Sequence, residues 1–429
     1  MDELGPVARR HLRRNFRLGV LNGTAYGMAE AMIDSSLVMS WFISQLTSSS
    51  FLVGLVSPIR NAGWFLPQLF ISGYAQRQER KMPLYHWCSV VRSVSLGLLA
   101  AAVWGLGARY PGALLACLFV FITLLSLGEG FSGISFLDIV AKTIPARRRG
   151  SFFAWRSFLG GLLALVSGAA VRYILGGALG LAFPDNFALL FTLAFVGMTI
   201  SVIGFSSIVE PIEPVDGRVV PFFAQLRRAW GLARQDRNLS RLIIARMLLV
   251  VAGGIATPFY IVYAKDHLGA PASSVGTYLL TLTVFSVAAN FVWSRISARF
   301  GNKMVIVLSA AAGMGAPLGA LSAGLAGSLP LFFLPFALQG VYQSSIMIGQ
   351  VNFILDIAPG ADRPIYIGLV NTILGITSMA LAASGLIVDW VGYHALFGLA
   401  ALFFALGCGV ALGLRDPRAK PAASPAVTP

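Results

Sequence analysis

Five ionisable residues stand deep inside apolar stretches of the first half of this 429-residue chain: Glu30, Asp34, Arg60, Arg92 and Glu129. Facing hydrocarbon, each would cost roughly 2.5–3.5 kcal/mol, about 12–18 kcal/mol together, so they must face inward and pair. Glu30, Arg60 and Glu129 each fall near the middle of an apolar run. Asn22, Tyr26, Glu30 and Asp34 repeat at i, i+4, which draws one polar stripe along a helix. Asp34 is expected beside Arg60 of the antiparallel neighbour. Three acids against two arginines leave one excess negative charge, and in a low dielectric that excess favours uptake of a proton or a cation. Proton exchange is therefore the chemistry expected of Glu30, Asp34, Arg60 and Glu129, with Arg92 as a structural partner. Purely structural ion pairs are the alternative that these residues leave open.

The second half has no deep acid. Gln339, Gln343 and Gln350 fall within about 40° of one another on a helical wheel, with Tyr342, Ser344 and Ser345 beside them. Amides and hydroxyls bind neutral polar groups without burying charge, so these residues are expected to line a cavity; the alternative is hydrogen bonding between helices. Gly253-Gly254 and Thr257-Pro258-Phe259-Tyr260 place a proline in mid-helix, where it permits bending. Tyr26, Thr257, Tyr260, Gln339, Tyr342, Gln343 and Gln350 form the expected cavity set. Arg246 lies unusually deep and is read as snorkelling toward the nearer interface.

The elements that hold these residues are long and apolar. The chain is 57% hydrophobic, only 11% charged, and has a mean hydropathy of +0.77, which excludes a soluble protein of this length. Twelve stretches can cross about 30 Å of hydrocarbon: 18–44, 51–75, 84–107, 112–140, 151–176, 187–208, 239–264, 275–295, 304–325, 329–356, 365–388 and 391–414. The net charge of +15 gathers on one side of them. Arg9 to Arg17, Arg77 to Lys81, Lys142 to Arg149, Arg218 to Arg241, Arg295 to Lys303, Arg363, and Arg415 to Lys420 share that side, against Arg109 and Lys265 opposite. By the positive-inside rule both termini are cytoplasmic, and the basic face meets anionic lipid, not nucleic acid. Residues 221–234 read as an amphipathic helix on that interface, and 415–429 as a disordered tail.

The first span lacks a small-residue cleavage site and is expected to stay uncleaved. Cys88, Cys117 and Cys408 are scattered through apolar runs, so neither a disulfide framework nor a metal site is expected. A phosphate-binding Walker loop is missing, which argues against ATP as driving force. No cofactor is expected, and no nucleophile or dyad suggests an enzyme.

The two halves repeat. A shift of 222 residues aligns Leu46 with Leu268, Val53 with Val275, Gly54 with Gly276, Ser72 with Ser294, Arg77 with Arg299, and Lys81 with Lys303. Asp138…Pro145-Ala-Arg-Arg-Arg149 is echoed by Asp356…Pro359-Gly-Ala-Asp-Arg363. With six spans on each side of a basic linker and these basic loops, the chain resembles the major facilitator superfamily. That family's loop pattern, Gly-x-x-x-Asp-Arg-x-Gly-x-Lys/Arg, is kept as Arg299, Gly301 and Lys303 in the second copy. The first copy keeps Arg77 and Lys81, with Ser72, Gln76 and Glu79 at the other positions. A Gly-Pro antiporter motif is absent from span 5.

The resemblance implies an all-α fold of two six-helix bundles, 1–208 and 239–414, joined by a linker at 209–238. It also implies a plasma-membrane secondary transporter for a small polar or amphipathic solute, working as a monomer. Arg77, Lys81, Asp138, Arg149, Arg299, Lys303, Asp356 and Arg363 are the expected cytoplasmic gate. A lipid flippase, kept open by Arg60 and Arg246, and a non-transporting receptor of the same fold are the alternatives.

Overall fold

The computed structural model describes residues 5–76, 78–212, 222–359 and 363–416, and every ordered element in it is helical. The first half comprises α1 (Pro6–Met32), α2 (Val38–Leu46), α3 (Ser50–Gln76), α4 (Met82–Leu106), α5 (Pro111–Thr143), α6 (Ala146–Leu175) and α7 (Asp185–Ser206). A surface helix comes next, α8 (Phe222–Gln235), close to the expected 221–234. The second half holds α9 (Arg237–Leu268), α10 (Ser274–Leu325), α11 (Phe333–Ser345), α12 (Asn352–Ile357), α13 (Arg363–Ala380) and α14 (Ser384–Leu412). Eight helical stretches are long and apolar enough to cross a membrane.

Two of those stretches are longer than one crossing needs. Ser274–Leu325 has 52 residues and Ile365–Leu412 has 48, whereas about 20 span the hydrocarbon. Each folds back on itself at a glycine with positive φ, Gly301 (φ 83°) and Gly392 (φ 84°). An L side chain is disfavoured there, and at Gly301 a Cβ would also strike the Asp416 carboxylate. The glycine kept in the loop pattern is thus a turn requirement.

Local chemistry sets the other ends. Asp236 caps α9 by accepting from the Asn238 and Leu239 amides, and Gly269 closes it in the left-handed conformation (φ 63°). The first span is not continuous. After Met32 the chain leaves the helix, and the Asp34 carboxylate accepts from the Ser36 amide (3.0 Å), the Leu37 amide (2.8 Å) and the Ser36 hydroxyl (2.7 Å). An aspartate followed by serines competes for local backbone donors in this way and restarts the helix as α2.

Within the first half α1 packs on α6 and α7, α4 on α5 and α7, and α3 on α5. In the second half α9 packs on α13 and α14, and α10 on α11 and α14. The exterior is apolar where a soluble protein would be charged. Leu98, Val120, Phe158, Val166, Ile203, Phe291 and Leu402 are all exposed, as lipid-facing surfaces require.

The halves meet mainly through α6 against α10 and α3 against α13 and α14. Small residues allow the approach: Gly168 faces Leu280, Gly276 faces the Arg172 backbone, Gly54 faces Ser384 and Gly385, and Gly385 faces Ser50 and Phe51. These contacts lie between mid-depth and the face opposite the basic loops. On that outer face Lys265 of α9 donates to the Ser44 carbonyl (2.8 Å) and hydroxyl (3.1 Å) of α2.

Candidate functional site

Four charged side chains from four helices meet in the first half. Arg60 of α3 is hydrogen-bonded to Glu30 of α1 and lies 3.5 Å from Glu129 of α5; Arg92 of α4 lies 3.3 Å from Glu129. The Tyr26 hydroxyl donates to Glu129, and the Tyr26 ring carries the Arg92 guanidinium 5.3 Å from its centroid. The backbone makes room for this. A Cβ on Gly130 would collide with the Gly63 carbonyl, and one on Gly128 with the Arg92 stem, so α3, α4 and α5 approach closely enough for the charges to touch.

The network is balanced, two acids against two guanidiniums. Asp34, expected as the partner of Arg60, instead accepts from Ser36 and Leu37 in the turn between α1 and α2, because the helix ends at Met32 and Asp34 leaves the stripe drawn by Asn22, Tyr26 and Glu30. The excess negative charge expected from the residue count is therefore absent from the contact network. Arg92, read as a structural partner, is a full member.

The two acids are not equivalent. Glu129 is engaged by Arg60, Arg92 and Tyr26, and its side chain is 6% exposed. Glu30 has Arg60 as its one cation, lies within hydrogen-bond reach of the Glu129 carboxyl, and is 25% exposed.

One arginine escaped the sequence reading. Arg156 lies inside the stretch 151–176, five residues past its start, and its guanidinium donates to the Gly19 carbonyl (3.1 Å) and the Asn22 amide oxygen, 4.6 Å over the Phe136 ring. Its nearness to the basic run at Arg147–Arg149 masked it. Asn22 in turn donates to Ser201 and Tyr85. Glu210 was missed as well. It accepts from the Lys81 amide (2.8 and 2.9 Å) and the Met82 amide (2.8 Å) and pairs with Lys142 at 3.4 Å, fixing the start of α4.

The expected cavity set divides. Gln339 donates to the Thr257 hydroxyl (3.0 Å), which bonds back to the Gly253 carbonyl, and Gln343 is half-buried. Tyr260 does not face a cavity: it is 1% exposed and packs against Phe336 and Phe397. Tyr342 lies edge-on to Phe404 and donates to the Leu249 carbonyl (3.1 Å). Gln350, like Gln339, faces α9: Thr257 and Arg246 lie eleven residues apart on one side of that helix. Residues Ile346–Val351 form a π-helix. Gln350 accepts from Arg246 Nε at 3.1 Å, and both are buried. Arg246 does not snorkel.

Of the expected gate, Arg77 lies outside the described residues. Lys81 is buried beside Glu210, and Arg149 turns back onto the Ile144 (3.0 Å) and Ala141 (2.7 Å) carbonyls as a helix cap. Asp356 accepts from Asn302 (2.6 Å), which accepts from Ser297, tying the second basic loop to α12. Asp138 and Lys303 are half-buried, Arg363 is exposed, and Arg299 is exposed over Phe300. These groups brace loops within each half. A separate cavity of about 420 Å³ opens near the outer face, lined among others by Ser44, Val53, Phe259, Lys265 and Tyr393.

The Major Facilitator Superfamily model matches residues 242–428. The efflux pump aflT of Aspergillus parasiticus is 29% identical over 108 residues, covering 25% of this chain and 20% of that protein, so the match spans about a fifth of that relative's length. The nucleoside transporter NupG superposes with a TM-score of 0.71 at 13% identity, over 94% of this chain and 100% of that one. A D-xylose–proton symporter does so with a TM-score of 0.68 at 14% identity, over 95% and 99%. At these identities the likeness to the two structures is one of fold.

Proposed function

We propose that this chain is a member of the major facilitator superfamily, whose model matches its second half and whose fold it shares, and that it is a twelve-span, proton-coupled secondary transporter that carries a small polar or amphipathic organic solute by alternating access. The bundles 1–208 and 239–414 rock about a central site, in a plasma membrane with both termini cytoplasmic. Contacts between the halves near Lys265 and Ser44 support a gate on the face opposite the basic loops.

The observation that carries the coupling is the asymmetry of the two acids on Arg60. Glu129 keeps its charge because two guanidiniums and a hydroxyl satisfy it. Glu30 has one cation and partial access to solvent, so it is the group that can accept a proton at least cost. Protonation cancels its attraction for Arg60, which is left to Glu129, and α1 and α3 are freed to shift relative to each other. The proton thereby biases one of two arrangements, which is what coupling requires.

Glu30→Gln imitates the protonated acid at nearly constant volume. In proteoliposomes it is expected to abolish accumulation driven by an imposed pH difference while leaving exchange between equal pools intact. Undiminished pH-driven accumulation in Glu30→Gln would remove the proposal.

A further inference from the structure

Arg246 and Gln350 lie on the helices of the second half that the sequence repeat pairs with those of Tyr26 and Glu129 in the first. The shift of 222 residues that aligns the halves carries Tyr26 and Glu129 to within two positions of them. The sequence separations agree as well, 103 residues in one pair and 104 in the other. In the first half those helices share a charge-balanced network. In the second they hold a buried guanidinium, 3% exposed, that contacts no carboxylate among the described residues.

The unmet groups are of one kind. Arg246 Nε is spent on the Gln350 carbonyl oxygen, whereas Arg246 Nη1 and Gln350 Nε2 are buried without a hydrogen-bond partner. Both are donors, and the bond between the two side chains holds them next to each other. The Tyr342 hydroxyl, which donates to the Leu249 carbonyl, keeps its oxygen as an acceptor beside the Gln350 amide, so Arg246 Nη1 is the donor left for an outside group. Burying a guanidinium costs several kcal/mol unless a counter-charge or acceptors compensate, and planar oxyanions match its fork. Gln350 sits on the π-helix 346–351, a distortion that recurs at functional sites.

We propose that Arg246 and Gln350 form an oxyanion-binding subsite that takes a carboxylate or phosphate group. Resting on the transporter reading, it makes the carried solute an organic anion or zwitterion, gripped by the second half while the first half handles the proton.

The test uses the purified full chain, with thermal unfolding measured against acetate, inorganic phosphate and methylphosphonate at constant ionic strength. Chloride and neutral acetamide serve as references. At least one oxyanion is expected to raise the unfolding temperature saturably, with an apparent affinity at least tenfold weaker in Arg246→Gln. Gln350→Glu guards against simple misfolding, because it places an internal carboxylate beside Arg246. It should keep or raise the ligand-free unfolding temperature while abolishing the oxyanion response. Oxyanions no better than chloride and acetamide, or a wild-type response in Gln350→Glu, would overturn the subsite. The same measurement in phosphatidylglycerol against phosphatidylcholine nanodiscs separates the sources: Arg246-dependent stabilisation by phosphatidylglycerol alone keeps the subsite and assigns it to a lipid headgroup. Arg246-dependent stabilisation by a soluble oxyanion without counterflow of that ion in proteoliposomes keeps the subsite and removes the transporter reading. Coupled accumulation of a neutral solute by Arg246→Gln does the reverse.

Discussion

Replacing Arg60 by Met removes the one cation that touches both acids of the first half, Glu30 directly and Glu129 at 3.5 Å. Met fills most of the volume, so the loss is electrostatic rather than a cavity. Glu129 retains Arg92 at 3.3 Å and the Tyr26 hydroxyl; Glu30 retains no cation. Stranding one partner of a buried ion pair costs about 3–5 kcal/mol. Because Glu30 is a quarter exposed, hydration or a proton relieves part of this, which places Arg60→Met near the lower end, about 3 kcal/mol. Adding Glu30→Gln removes the stranded charge and should recover about 1–3 kcal/mol, the coupling of neighbours in one network. Unfolding of purified protein followed by tryptophan fluorescence ranks the three proteins as wild type, then Arg60→Met with Glu30→Gln, then Arg60→Met. A double variant no more stable than Arg60→Met alone would refute the idea that Glu30 depends on Arg60.

The two membrane faces can be probed separately. Lys265→Met removes the charged hydrogen bonds to Ser44 that join the halves on the outer face. Bonds to a charged donor contribute about 1.5–3 kcal/mol, so a cysteine at Val53, on the wall of the outer cavity, should react with a soluble thiol reagent roughly tenfold faster. An unchanged rate would show that the clasp does not hold that face shut. In a background lacking Cys88, Cys117 and Cys408, cysteines at Thr47, Tyr110 and Ser328 should label from outside intact cells, whereas those at Glu79, Arg147 and Gln225 should not. External labelling at Gln225 would invert the assigned orientation.

Sequence by itself determined the helical, membrane-spanning class, because it depends on local quantities. Twenty apolar residues can only cross or be buried, basic residues collect on one face, and a glycine such as Gly301 marks a turn that other residues resist. It also determined that Glu30, Arg60 and Glu129 must pair, since the cost of burial depends on depth along one helix. Only the tertiary structure decided who pairs with whom. Asp34 looked like a continuation of the stripe because a wheel assumes an unbroken helix, but its carboxylate found three donors within three residues and ended the helix there. That Gln350 would meet a buried arginine, where Gln339 meets a threonine, is equally a matter of which α9 residue lies opposite. Arg156 escaped notice beside the basic run, and Arg246 looked like a snorkelling cation. Their surroundings depend on which neighbouring helix meets them, Asn22 on α1 for the first and Gln350 beyond α11 for the second, and that is a property of packing between segments more than a hundred residues apart.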